Sequence, residues 1–128
     1  MAIRIVRLGT KRHAHEGTRI GTVRRPPRGV PKARFAVDDW YDVWFPVLAP
    51  SASTVKLAQG AKTAAEWASF ARKYRAEMSA PEAKHSLDLL AALSHTSDFS
   101  VGCYCEDEAR CHRSVLRELL AERGAKMA

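Results

Sequence analysis

Two short stretches near the C-terminal end of the chain hold side chains that could do chemistry: Cys103-Tyr104-Cys105 and Cys111-His112-Arg113. A thiolate is the nucleophilic form of cysteine, and a neighbouring imidazole or guanidinium lowers the pKa that governs its formation. These residues predict a site in which Cys105 or Cys111 is the nucleophile and His112 acts as acid and base. Cys103 lies deepest in the predicted strand, so we expect it to be core packing.

The positive charge of the chain is concentrated in its first quarter. The net charge is +7, and residues 1–34 hold ten Lys and Arg against a single acid. Residues 24–34 within this region predict a basic loop rich in arginine and proline. Such a surface attracts an anionic partner, and we expect Arg25 and Arg28 to bind a phosphate group together with Arg113. The alternative is a solvated basic surface that only aids solubility.

The three cysteines lie within nine positions, and their odd number and closeness argue against a disulfide framework. We therefore expect a reducing, cytoplasmic compartment; no apolar run approaches the length of a signal sequence or a membrane span. The cluster offers four zinc ligands, but structural zinc sites usually pair ligands about two to four residues apart. The adjacent Cys111 and His112 are not expected to point at one ion, so we expect no metal and no cofactor.

The length of 128 residues and the hydrophobic share of 46% predict one α/β domain, residues 1–128, with a single core. Residues 3–8 and 18–24 are β-prone and predict two strands. The nearly uncharged residues 99–105 predict a central strand covered on both faces. We expect a three-layer architecture, with a small, mostly parallel or mixed sheet flanked by helices.

Helix signals fill the rest of the chain. The apolar spacing from Asp38 to Leu48 predicts a helix that buries Trp40 and Trp44. A final helix is expected to begin at Cys111–His112 and to end at Gly124. Three further helix starts are predicted from capping side chains, which are Ser51 or Ser53, Thr63 with Glu66, and Ser79 with Glu82.

The two candidate segments follow strands that we expect to run in the same direction. Ligands of α/β proteins bind at the carboxyl ends of the strands. The loop at residues 25–29 and the turn at residues 111–113 should therefore lie on the same side of the sheet, with Arg28 and Arg113 in one cleft.

The spacing of Cys105-Glu106 and Cys111-His112-Arg113 resembles the signature of the domain-of-unknown-function 488 family, small bacterial and archaeal proteins. The resemblance implies a compact α/β fold and supplies no activity. The likeness extends along the chain to Gly17-Thr18-Arg19, residues 24–29, Ala49-Pro50-Ser51, and Trp67 with Phe70, Tyr74 and Glu77.

These stretches are similar to a branch of the family in which an Asp-Arg-Leu-Trp-Pro-Arg-Gly run follows the second strand. The chain departs from that run and keeps only part of it: Arg24, Pro26 and Pro27 differ, whereas Arg25, Arg28 and Gly29 are retained. A role that depends on the Asp and Trp of the branch is therefore not implied here.

Three functions fit the residues. The first is an enzyme acting on an anionic, phosphate-bearing substrate, with Cys105, Cys111 and His112 catalytic and with Arg25, Arg28 and Arg113 binding the anion. The second is a nucleic-acid-binding module built on the basic region, for which we expect at most weak, sequence-independent binding. The third is a thiol redox or sensor protein in which Cys105 and Cys111 form a reversible disulfide. No membrane partner is expected.

Overall fold

The computed structural model describes residues 1–128, which form four strands and four α-helices. The strands are β1 (Ile3–Arg7), β2 (Thr18–Gly21), β3 (Val43–Trp44) and β4 (Phe99–Cys103). The helices are α1 (Ala52–Gly60), α2 (Ala64–Glu77), α3 (Pro81–Leu93) and α4 (His112–Glu122). Short 3-10 turns occur at Lys32–Arg34, Pro46–Leu48 and Glu108–Arg110. None of the helices combines the length and the apolar character that a membrane crossing requires.

The sheet is wholly parallel, in the strand order β1-β4-β2-β3. β4 pairs on both sides, with Val101 opposite Ile5 of β1 and Ile20 of β2. All five residues of β4 are buried, as its uncharged sequence predicts. The α/β class is confirmed. Because all four strands run the same way, the loops that follow them leave from one edge of the sheet.

Two groups of buried apolar side chains hold the sheet in place. The larger group joins β1 and β4 to the helices through residues such as Val101, Phe70 and Leu116. The smaller group surrounds two of the cysteines, Cys103 and Cys111. Cys103 is buried, as predicted, so the thiol-bearing edge of the sheet is part of the packed interior.

A buried ion pair fixes the loop between β1 and β2 against the central strand. The Arg19 guanidinium donates to both carboxylate oxygens of Glu16, and the Ser100 hydroxyl donates to Glu16 at 2.7 Å. Arg19 also donates to the carbonyl oxygens of Thr10 and Asp39. Full hydrogen bonding compensates the cost of burying these two charges.

Local capping signals place α1 and α2 as predicted. The Ser51 hydroxyl accepts from the Thr54 amide, and the Thr63 hydroxyl accepts from the Glu66 amide. The cap predicted at Ser79 is wrong, because the Ser79 hydroxyl donates to the Arg75 carbonyl within α2. α3 instead begins at Pro81, whose missing N–H is no loss at a helix start.

The helix predicted from Asp38 to Leu48 is also wrong. This segment pairs with β2 instead: the Asp42 and Phe45 amides donate to the Arg19 and Gly21 carbonyls. The Asp42 carboxylate accepts from the Arg19 amide. The apolar spacing did not mark a buried face, since Trp44 is 44% exposed. Long-range pairing with β2 outweighed the local helical pattern.

Candidate functional site

The predicted site lies where β4 ends and α4 begins. β4 ends at Cys103, so Cys105 falls in the following turn rather than in the strand as predicted. Cys111 is the N-cap of α4, and its carbonyl accepts from the Ser114 hydroxyl at 3.0 Å. The Asp107 carboxylate accepts from the Ala109 amide and fixes the turn between the two elements. These local bonds fix the segment between Cys105 and the start of α4.

The three thiols interact with one another, and they differ in exposure. Cys103 and Cys111 are buried, whereas Cys105 is exposed. Interaction with the Cys103 and Cys111 thiols, together with the charges nearby, holds the pKa of Cys105 below its ordinary value. The same interactions, with burial, raise the pKa of Cys103. For Cys111, the interaction with Cys103 lowers the pKa, but the interaction with Cys105 and burial outweigh it.

His112 is only 8% exposed and has a fixed tautomer. Its Nε2 lies 2.9 Å from the carbonyl oxygen of Thr22, which can only accept, so Nε2 carries the proton. Burial lowers the pKa of His112 to about 4, which keeps the ring neutral at pH 7. The remaining nitrogen, Nδ1, is an acceptor, and the Cys111 thiol donates to it at 3.7 Å.

Arg113 is a buried cation without a carboxylate partner. Its side chain is 3% exposed, and no Asp or Glu oxygen lies within 4.0 Å of the guanidinium. One Nη donates to the carbonyl oxygen of Cys105, and Nε has no hydrogen-bond partner. Burial lowers the pKa of Arg113, but the neighbouring Cys103 and Cys111 outweigh that effect and raise it. The positive charge therefore faces the thiols.

The three residues predicted to be catalytic line one cleft. The cleft has a volume of about 120 Å³ and is walled by α1, α2 and the start of α4. Its lining comprises Pro50, Val55, Ala58, Gln59, Phe70, Cys105, Arg110, Cys111 and His112. The predicted residues Cys105, Cys111 and His112 thus form a polar part of the cleft lining, and the folding of the chain brings apolar side chains around them.

α2 presents one side chain to the site on each successive turn. Trp67 stacks under Arg110, whose guanidinium carbon lies 5.7 Å from the ring centroid. Phe70 lines the cleft, and the Tyr74 ring packs edge-on against His112. Glu77 accepts from the Ser51 amide and hydroxyl, which fixes the start of α1 beside the cleft. These are the residues of α2 on which the family resemblance was based.

Two contributors to the site were missed in the sequence analysis. Thr22 orients His112 through its carbonyl, although the two residues are 90 positions apart. Arg110 is exposed, lines the cleft and makes no ion pair. Its proximity to the cysteines in the sequence was the signal that could have revealed it, since it adds a cation at the cleft mouth.

The arginine loop leaves from the same edge of the sheet, as predicted. β2 and β4 are parallel neighbours, and the Tyr104 hydroxyl donates to the Arg25 carbonyl at 2.8 Å. The side chains of Arg25 and Arg28 are exposed and make no hydrogen bond or ion pair, and neither lines the cleft. The loop therefore borders the site. Neither Arg28 nor Arg113 lines the cavity, so this cavity is not the shared cleft predicted for these two residues.

A metal-ligand set is present in the cluster. The ligand atoms of Cys103, Cys111 and His112 all lie within 4.8 Å of one another. The expectation that adjacent Cys111 and His112 would not point at one ion is therefore wrong. Cys111 has an extended backbone and His112 is already helical, so the chain turns between them and both side chains converge. All three cysteines are free thiols. The reversible disulfide between Cys105 and Cys111 therefore remains a prediction.

Comparison with known proteins gives one result. No curated protein and no solved structure matches the chain significantly. Residues 3–124 match the family model DUF488-N3a, described as the active DUF488-N3 subclade. The match covers β1 through α4 and includes the whole cysteine cluster. The chain therefore belongs to the DUF488 family.

Proposed function

We propose that the protein is an enzyme that acts on an anionic, phosphate-bearing substrate through the thiol of Cys105. One observation carries the proposal: Cys105, Cys111 and His112 line a single cleft at the carboxyl edge of a parallel sheet. Ligands of α/β proteins bind at this edge. The description of the matched subclade as active is consistent with catalysis.

Cys105 is the nucleophile in this proposal. It is the one exposed cysteine, and interaction with the buried Cys103 and Cys111 thiols and with the Arg113 charge lowers the pKa of its thiol. Arg113 fixes the main chain at Cys105 from inside the protein. A thiolate held in this way is oriented toward the cleft and is stabilised by positive charge.

The chemistry is covalent catalysis. The sulfur of Cys105 forms a bond to the electrophilic atom of the substrate, and the leaving group departs with the electron pair of the broken bond. Water then attacks the same atom: its oxygen forms the new bond, the bond to the Cys105 sulfur breaks with its electron pair returning to sulfur, and the proton of the water passes to the leaving group. His112 lines the cleft, and its unprotonated Nδ1 takes this proton on its way to the leaving group.

Cations around the cleft mouth select an anionic substrate. Arg110 lines the cleft, and Trp67 holds its guanidinium in place. Arg25 and Arg28 border the same edge with exposed side chains that no carboxylate neutralises. Arg113 is buried and bonded to Cys105, so in this proposal it positions the nucleophile and leaves substrate binding to the exposed arginines.

Alkylation of reduced, chelator-treated protein tests the proposal. We expect iodoacetamide to modify Cys105 first at pH 7, and inorganic phosphate to slow the reaction, because an anion beside Arg110 shields the cleft. The Cys105→Ser variant should lose the fast phase, and Arg110→Ala should lose the protection by phosphate. Peptide mass mapping identifies the modified residue. The proposal fails if all three cysteines react only after unfolding.

A second candidate function is nucleic-acid binding. The observation that favours it is the cluster of exposed, unpaired guanidinium groups in the loop after β2. Phosphate contacts of this kind give binding without sequence preference. This function uses none of the thiols, so the alkylation experiment separates it from the enzyme.

A further inference from the structure

The cysteine cluster has the composition of a zinc site. The ligand atoms of Cys103, Cys111 and His112 already lie within 4.8 Å of one another, and all three residues are buried. Cys105 lies beside this group: it follows Cys103 by two residues, lines the same cleft as Cys111 and His112, and interacts with the Cys103 and Cys111 thiols. Its sulfur is therefore the candidate for a fourth ligand. Three thiolates and one imidazole form one of the closed ligand sets that zinc takes in proteins.

The imidazole of His112 is prepared for coordination through Nδ1. A histidine that binds a metal usually donates its other N–H to a carbonyl or carboxylate, which fixes the ring and the tautomer. The Nε2–H of His112 donates to the Thr22 carbonyl at 2.9 Å, and the Thr22 hydroxyl lies 3.2 Å from the same nitrogen. Nδ1 therefore directs its lone pair toward the sulfur atoms.

The charge of the surroundings also fits. A divalent ion with three thiolates has a net charge of −1, which is costly to bury without compensation. Arg113 is buried beside the cluster, has no carboxylate within 4.0 Å and keeps an unpartnered Nε. The guanidinium supplies the single positive charge that such a site needs.

We propose that Cys103, Cys105, Cys111 and His112 bind one Zn²⁺ ion, and that this ion blocks the nucleophile of the site. Soft thiolate ligands favour zinc over magnesium or calcium. Each thiol that coordinates loses its proton to solvent, and no electron is transferred. The binding of zinc is independent of the proposed function, whereas the block rests on it. The enzyme is then active when metal-free and is masked when zinc is bound.

Metal titration of the full chain tests the binding. Reduced protein is treated with a chelator, desalted and titrated with Zn²⁺ against a chromogenic competitor, and with Co²⁺ as a spectroscopic probe. We expect one equivalent to bind, with the sulfur-to-cobalt charge-transfer and d–d absorption of a tetrahedral thiolate site. Less than a stoichiometric amount of bound Zn²⁺, or an octahedral Co²⁺ spectrum, overturns the proposal.

Variants assign the ligands. Cys105→Ser changes an exposed residue and should fold; it should weaken Zn²⁺ binding by at least about tenfold and reduce the charge-transfer intensity. His112→Ala should weaken binding as well, with folding checked by circular dichroism. His85→Ala, which removes an exposed histidine on α3, is the matched control and should bind as the parent does. Unchanged binding in Cys105→Ser overturns the four-ligand site, even if His112→Ala does not fold.

Alkylation with and without the metal separates this inference from the proposed function. One equivalent of Zn²⁺ should slow modification of Cys105 by at least about tenfold, and chelation should restore it, because a coordinated thiolate is less available to attack. If zinc binds and the metal-free thiol is inert, the enzyme proposal fails and the metal site stands. If the metal-free thiol is reactive and zinc neither binds nor protects, the metal site fails and the enzyme proposal stands.

Discussion

The hydroxyl of Tyr104 lies 2.8 Å from the carbonyl oxygen of Arg25 and donates a hydrogen bond to it. Tyr104 stands between Cys103 and Cys105, so this bond joins the loop after β2 to the loop that holds the thiols. The Trp40 ring packs edge-on against Tyr104 at a centroid distance of 5.8 Å. The arginine loop and the cysteine cluster are therefore parts of one packed edge.

Removal of this bond should loosen the arginine loop. We expect Tyr104→Phe to lower the free energy of unfolding by about 1 kcal/mol, the net value of one hydrogen bond. Amide exchange at residues 24–29 should become faster. Tyr41→Phe is the control: the Tyr41 hydroxyl is buried without a partner, so its removal should leave stability unchanged or slightly higher. Equal losses in the two variants would contradict the role given to the bond.

Replacement of Arg113 should slow the reaction of Cys105. In metal-free protein, Arg113→Met removes the buried charge that faces the thiols and the bond to the Cys105 carbonyl. We expect a fall of roughly tenfold in the alkylation rate at pH 7, since a nearby cation favours the thiolate. Arg123→Met is the control at the C-terminal cap of the same helix, because Arg123 pairs with Asp88 away from the site. A rate that stays at the parental value would show that the guanidinium does not act on the thiol.

The Glu16–Arg19 pair should make stability depend on acid. Burial raises the pKa of Glu16, but hydrogen bonds from Arg19, Ser100 and the His13 amide outweigh it and lower the pKa to about 2. A depressed carboxyl pKa stabilises the fold above the unfolded-state value, and this stabilisation is lost as pH falls. We expect the unfolding free energy to drop between about pH 4.5 and pH 2.

Glu16→Gln should remove much of that pH dependence and cost roughly 3 to 5 kcal/mol at pH 7, because Arg19 keeps a buried charge without its partner. Urea unfolding at a series of pH values measures both effects. Glu122→Gln is the control: its carboxylate pairs with Arg75 at the surface, so its removal should have a much smaller effect. A Glu16→Gln variant with the parental pH profile would show that other groups cause the acid sensitivity.

Gly102 allows β1 and β4 to approach next to the thiols. A Cβ atom on Gly102 would lie 2.5 Å from the Val6 carbonyl oxygen and 2.9 Å from a Val6 methyl carbon. Backbone cannot move aside cheaply, so Gly102→Ala should destabilise the protein by about 1 to 3 kcal/mol. Gly60→Ala at the end of α1 meets no atom within 4 Å and should be neutral or slightly stabilising. Thermal unfolding of the two variants compares them directly.

The arginine loop should give weak, salt-sensitive nucleic-acid binding. When binding depends on phosphate neutralisation, the association constant falls steeply with added salt. It varies as the inverse of the salt concentration raised to a power close to the number of phosphate contacts. A shift assay between low and physiological salt should show its loss. Charge reversal of Arg24, Arg25 and Arg28 should abolish it, whereas reversal of three exposed lysines outside this loop should not; these are Lys56, Lys62 and Lys73. Tight binding to one sequence at physiological salt would favour the nucleic-acid module over the enzyme.

The sequence predicted best what depends on near neighbours. The caps at Ser51 and Thr63 were predicted correctly because a hydroxyl and an amide three residues apart decide them. The central position of β4 followed from its uncharged composition. Strand β3 was missed because two residues carry too little pattern, and its pairing depends on bonds to β2.

The features of the site also divide into those predicted from nearby residues and those that depend on distant segments. Cys105, Cys111 and His112 were selected by residue type and spacing, and they line one cleft. The tautomer of His112 depends on Thr22, and the isolation of Arg113 from any carboxylate depends on packing. Neither is encoded in local spacing, because each arises only when distant segments meet. The convergence of Cys103 with Cys111 and His112 was rejected from spacing for the same reason.

The central position of β4 determines when the sheet can form during synthesis. β4 lies between β1 and β2, and its Phe99 pairs with Ile3 and Thr18, more than 80 positions earlier in the chain. On the ribosome, β1 therefore has no strand to pair with, and β2 has only the two-residue β3, until residues 99–103 have emerged from the exit tunnel. The sheet closes late, and contacts of such high sequence separation form slowly. The nascent chain consequently exposes the edges of both early strands, and a chaperone that covers extended apolar segments should be retained until β4 inserts.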